Sequence, residues 1–99
     1  VQKSYEEILE EFSENLKVLR KKQGLSQEFV AGIELSVRNY QKIEAAISTP
    51  SLRTILIIAD GLGIHPRELF DIPSLKNRPM VKEITTRNRK SAKKKTTKK

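Results

Sequence analysis

The chain has no cysteine, no tryptophan, one histidine and only two tyrosines and three phenylalanines in 99 residues. Without cysteine there is no disulfide framework, no thiolate nucleophile and no Cys-ligated zinc, and nothing that needs an oxidising compartment. The single histidine, His65, has no second ligand at metal-binding spacing, so no metal and no cofactor are expected. It sits before Pro66 as a helix cap instead. No nucleophile–base constellation is visible, so the chain is not expected to be an enzyme. Long apolar runs are also missing. The longest, Ile55-Leu56-Ile57-Ile58-Ala59, has five residues, against about 20 for a bilayer-spanning helix. The opening VQKSYEEILEEF is acidic and amphipathic, unlike a secretory leader. A cytoplasmic protein with no membrane partner is therefore expected.

Charge is abundant but uneven. Residues 1–75 hold nine Lys/Arg and eleven Asp/Glu, a net of −2, whereas residues 76–99 hold eleven Lys/Arg and one acid, Glu83, a net of +10. The sum is the +8 of the whole chain. The pattern predicts a folded body over 1–75 and a basic, disordered tail over 76–99. From Ser91 onward Ala92 is the only apolar residue, and nothing there offsets the entropy of ordering. Met80, Val81 and Ile84 are the last large apolar residues, and suit a short docked segment.

The body reads as five short helices. Tyr5, Ile8, Leu9, Phe12, Leu16 and Leu19 recur every three or four residues, as on one helix stripe. Ser4 with Glu7 makes a capping box, and Gly24 closes the helix. Ser13-Glu14-Asn15 is a second possible start within it. Ser26 caps a short segment to Ile33, and Ser36 caps another to Ala45. Ser51 caps a fourth helix, with Leu52, Ile55, Leu56, Ile58, Ala59 and Leu62 as its buried face and Gly63 as its left-handed stop. Ile57 falls off that stripe and is expected to be exposed, where it suits a dimer contact. Pro66 opens a fifth helix with Leu69 and Phe70 facing inward. The fold class is all-α, a compact five-helix bundle.

Two short helices with a tight link, at 26–33 and 36–45, suit a helix-turn-helix, whose second helix enters the DNA major groove. On that second helix Val37, Tyr40 and Ile43 point inward, leaving Arg38, Asn39, Gln41 and Lys42 outward. Arg and Lys pair with guanine, and Asn and Gln with adenine. An ordinary solvated face is the competing reading of these four residues.

The stretch from Asn15 to Phe70 resembles the Cro and repressor helix-turn-helix family, also called the xenobiotic-response-element family, with a lambda-repressor-like fold. The resemblance rests on Leu19-Arg20-Lys21, Gly24-Leu25-Ser26-Gln27-Glu28, Ala31, Leu35-Ser36, Tyr40, Ile43-Glu44, Pro50-Ser51-Leu52, Thr54-Ile55-Leu56, Ile58-Ala59, Leu62-Gly63-Ile64 and Glu68-Leu69-Phe70. It implies that Ser26 and Gln27 bind phosphate, that Val37, Arg38 and Lys42 touch bases, and that Asn39 and Gln41 flank them. It also implies that Arg20 and Glu44 form a buried salt bridge. Ser36, Tyr40 through its hydroxyl, and Arg53 are further phosphate candidates. Lys90, Lys93, Lys94, Lys95, Lys98 and Lys99 are candidates for non-specific phosphate contact.

Two departures from the family pattern carry structural expectations. The stretch Ala31-Gly32-Ile33-Glu34-Leu35-Ser36 is one residue short and lacks the turn glycine at its usual place. Either the second helix ends early or Glu34 takes a positive φ. After the third helix, Ala45-Ala46 replaces the usual glycine. Alanine is unfavourable in a left-handed stop, so that helix is expected to run on into Ile47.

The resemblance implies a sequence-specific transcriptional regulator of bacterial or phage type, nucleoid-associated, acting on double-stranded DNA as a homodimer. An antitoxin or a restriction–modification controller would use the same fold. A coactivator-like module with a protein partner is the reading from outside the DNA-reading class.

Overall fold

Serine sets where most helices of this chain begin. In a computed structural model of the protein, which describes residues 4–77, four helices start behind a serine whose hydroxyl accepts the backbone N–H three residues on. Ser4 precedes α1 (Tyr5–Lys22), Ser26 precedes α2 (Gln27–Ala31), Ser36 precedes α3 (Val37–Glu44) and Ser51 precedes α4 (Leu52–Leu62). Each cap of this kind contributes about 1 kcal/mol. At Ser4 the box is complete, because the Glu7 carboxylate accepts the Ser4 N–H at 2.9 Å. A 3-10 helix (Pro66–Phe70) and a four-residue α5 (Pro73–Lys76) follow. The described residues contain no strand.

α1 is one helix, and Ser13 does not restart it. Ser13 is buried, and its hydroxyl donates to the Ile43 carbonyl at 2.7 Å, tying α1 to α3. Two residues on, Asn15 donates its amide to the Glu68 and Leu69 carbonyls at 2.8 and 3.1 Å, holding the 3-10 helix. At the C-terminus of α1, Gly24 at φ 70° closes a Schellman turn. Its N–H reaches the Lys21 carbonyl, and the Leu25 N–H reaches that of Arg20.

The two departures resolve differently. α2 ends early, at Ala31, and Gly32 carries the positive φ of 64°; Glu34 does not. A five-residue turn, 32–36, then leads to α3, with Ile33 fully exposed. At the other end of α3 the expected run-on into Ile47 does not occur. Ala46 adopts φ 61°, with its N–H on the Ile43 carbonyl and the Ile47 N–H on the Lys42 carbonyl at 2.9 Å. These are the two bonds of a Schellman turn. They offset a left-handed strain of roughly 1–2 kcal/mol on a residue with a Cβ.

The core gathers Phe12 and Leu16 of α1, Val30 and Ala31 of α2, Tyr40 and Ile43 of α3, Ile58, Ala59 and Leu62 of α4, then Leu69 and Ile72. The buried face of α4 is rotated from the expected one. Leu52 and Leu56 are exposed, while Ile57 is half-buried. The apolar arc of α4 is wider than the face that packs, so Leu52 and Leu56 at its edge stay outside; Gly61 lies against α2. A Cβ on Gly61 would stand 2.5 Å from the Val30 carbonyl oxygen. Phe70, expected inside, is 40% exposed and leans on Phe12 with ring centroids 5.5 Å apart. The fifth element is a 3-10 rather than an α-helix, and Leu69 alone of its apolar residues is buried. Pro73 opens α5 as its first residue. There the Glu11 carboxylate accepts the N–H and hydroxyl of Ser74 at 3.0 and 2.6 Å. Met80, Val81 and Ile84, and the lysines from Lys90 to Lys99, lie outside the described residues.

Two alanine–glycine exchanges test these backbone assignments in opposite directions. Ala46→Gly is expected to raise stability by about 1 kcal/mol, or several degrees in melting temperature. Gly61→Ala is expected to lower it, although alanine is the better helix former by about 1 kcal/mol. Calorimetric melts of both variants check the signs.

Candidate nucleic-acid interface

The candidate surface is the outer side of α3, and its orientation is fixed from the inner side by one carboxylate. Glu44, the last residue of α3, is 5% exposed. Four hydrogen bonds converge on it from three helices. Arg20 of α1 donates Nε to Oε2 at 2.6 Å and Nη2 to Oε1 at 3.1 Å. Gln27 of α2 donates its amide to Oε1 at 2.9 Å, and the Tyr40 hydroxyl donates to Oε2 at 2.6 Å. The third guanidinium nitrogen, Nη1, caps the Leu25 carbonyl at 2.9 Å. A fork-on-fork pair of this kind fixes direction as well as distance.

The protonation states follow from this geometry. Burial pushes the Glu44 carboxyl up, but the hydrogen bonds from Arg20, Tyr40 and Gln27, with the Arg20 charge, outweigh it and hold the group below its ordinary range. The hydrogen bond to Glu44 raises the Arg20 guanidinium further. Burial first, then the hydrogen bond to Glu44, pushes the Tyr40 phenol well above its ordinary value. At neutral pH the cluster is a carboxylate, a guanidinium and a neutral phenol.

With α3 anchored, its other face is set. Arg38, Asn39, Gln41 and Lys42 are exposed. Arg38, Gln41 and Lys42 share one stripe at i, i+3 and i+4, and Asn39 flanks it. Val37, expected to touch bases, is half-buried and packs against the core. Gln41 is not free to swing, because its amide donates to the Gln27 carbonyl oxygen at 3.1 Å. Gln27 therefore bridges α2 to α3 and to Glu44. Its expected phosphate contact is left to its backbone N–H and to the second amide hydrogen. Tyr40 requires a correction. It is fully buried with its hydroxyl on Glu44, so it has no path to a phosphate, and its role is to support Glu44. Ser26 and Ser36 use their oxygens as cap acceptors, which leaves each hydroxyl proton available to an anion. Arg53 is exposed on the first turn of α4.

Sequence reasoning missed Gln27 and Tyr40 as partners of Glu44. The signal available for Tyr40 was its i, i+4 spacing to Glu44; nothing in the sequence signalled Gln27. It also missed Gln23, whose amide donates to the Leu62 carbonyl at 3.0 Å and fastens the end of α1 to that of α4. Among the described residues no group of three His, Cys, Asp or Glu could hold a metal. Nor is any helix long and apolar enough to cross a membrane.

Comparison with known proteins places this geometry. A family model described as helix-turn-helix matches residues 16–69. The crystal structure of the restriction-modification controller protein C.AhdI from Aeromonas hydrophila aligns with a TM-score of 0.60 at 40% identity, over 63% of this chain and 96% of that one. No curated protein matches the chain.

Removing one partner of the cluster is expected to cost more than removing both. Arg20→Met strands a buried carboxylate, a loss of about 3–5 kcal/mol, and Arg20→Met/Glu44→Met recovers much of it. Urea titrations of the three proteins measure the difference. Because the folded-state pKa of Glu44 lies below its unfolded value, its stabilisation is complete above pH 4.5, the ordinary carboxyl value, and fades as pH falls through the folded one. Tyr40→Phe removes one donor and is expected to move that acid loss to higher pH. A series of urea midpoints against pH checks the direction.

Proposed function

The chain belongs to the Cro/C1-type helix-turn-helix family of DNA-binding transcription regulators, and from that premise we propose that it acts by laying α3 in the major groove of double-stranded DNA. The observation that carries this reading is the two-sided character of α3. Tyr40, Ile43 and Glu44 are buried and tied to α1 and α2, while Arg38, Asn39, Gln41 and Lys42 are exposed on the far side. A rigid eight-residue helix with four polar side chains outward suits direct readout of base edges. Arg38 and Lys42 fit guanine, and Asn39 fits adenine. Ser26, Ser36, the Gln27 backbone and Arg53 fit flanking phosphates, which position the helix without reading sequence.

One such helix reads few base pairs, so the proposal includes a homodimer on two half-sites about 34 Å apart. The lysines at 90, 93, 94, 95, 98 and 99 add sequence-independent affinity. A second, finer reading is favoured by the 40% identity to a restriction-modification controller over nearly all of that protein's length. In it the chain controls the expression of a restriction–modification system.

Selection of bound sites from random DNA tests the reading. A palindromic consensus is expected from the full chain. Arg38→Ala is expected to cost about 1–3 kcal/mol at one base position and relax the preference there. Neutralising the six tail lysines is expected to weaken binding to all sequences and to flatten the dependence of log K on log salt by roughly 5. Recovery of no consensus overturns the proposal.

A further inference from the structure

An apolar groove opens on the side of the molecule built by the first half of α1. Its walls are Ile8, Leu9, Phe12, Ile55, Ile72 and Leu75, with Phe70 at the rim. The Tyr5 hydroxyl and the Thr49 hydroxyl face each other at 2.7 Å and close one end, and no polar atom is exposed along the walls. The cavity measures about 190 Å³. Apolar cavities of roughly 150 Å³ stay dry and accept a benzene-sized guest, so this one has room for one or two aliphatic side chains. Most of its walls lie outside the family match at 16–69.

We propose that the groove is filled by the chain's own segment Met80-Val81-Lys82-Glu83-Ile84. Leu75 is itself a wall residue, and Met80 follows it by five positions. Five residues reach up to about 17 Å when extended. Met80, Val81 and Ile84 are the only large apolar residues after Leu75. They come early in the segment, where the tether is short. Charge selects this occupant over a second copy of the body. The neighbouring cleft, which shares Ile72 with the groove, is lined by Glu7, Glu10 and Glu14 of α1 and by Asp71. Residues 76–99 bring a net charge of +10 to that rim. A two-fold self-contact through the same face would instead set each acidic α1 against its twin. Docked in this way, the segment makes the lysine run depart from the α1 side of the body.

The absence of cysteine makes the test direct. A nitroxide attached at Glu83→Cys in the full chain is the only label present. It is expected to broaden the methyl resonances of Ile8, Leu9, Ile55 and Leu75 selectively, and the added substitutions Met80→Asp and Ile84→Asp are expected to restore them. Sharp groove methyls in the labelled chain overturn the proposal, as does broadening that survives those two substitutions. A mixed sample, with the label confined to chains invisible to the spectrometer, separates the sources. Broadening of the visible chains there assigns the groove to another molecule and also overturns it.

Discussion

The Glu44 carboxylate is the point on which the geometry of this protein depends. It ends the helix that carries the polar outer face, and it is held by residues of the two helices before it and by a tyrosine on its own. Burying a charge is costly unless every lone pair finds a donor. Here the donors come from Arg20, Gln27 and Tyr40, so the cost is met only when α1, α2 and α3 are all in place. The cluster contributes less to net stability than to uniqueness. A slipped or rotated α3 would leave a carboxylate and a guanidinium in the core without partners.

Around that point, short helices are possible because their ends are satisfied. α2 has five residues and α3 eight, well below the length at which an isolated helix holds in water. Serine hydroxyls close the starts and left-handed residues close several stops. Long-range side-chain bonds to carbonyls, from Ser13, Asn15 and Gln23, join elements distant in the chain. The polar surface of α3 is thus presented by a body with few places to yield.

Much of this was readable in the residues, and the exceptions share a cause. The four serine caps, the glycine stops and the all-helical class are local signals, carried by residues whose preferences act within a turn of the chain. The rotation of α4 was not readable. Its apolar arc is wider than the face that packs, and the close approach of Gly61 to Val30 exists only in the folded chain. The left-handed stop at Ala46 is hidden because intrinsic strain argues against it, while the two hydrogen bonds that offset the strain exist only in the turn. Spacing places the Tyr40 ring inward but leaves its hydroxyl undirected, because the partner that captures it is defined only once Arg20 and Gln27 arrive. Among the proposed DNA-contacting residues, periodicity separates the outer face of α3 from the inner one. It says nothing about the Gln27–Gln41 link that restrains one of the outer side chains.

Mobile ions screen exposed charges over about 10 Å at 0.1 M but scarcely reach a pair shielded by protein. Arg20 and Glu44 are of the second kind, so the posture of α3 is indifferent to ionic conditions that would govern any contact made by exposed lysines. A change in the surrounding electrolyte therefore leaves the seating of α3 against the body as it was.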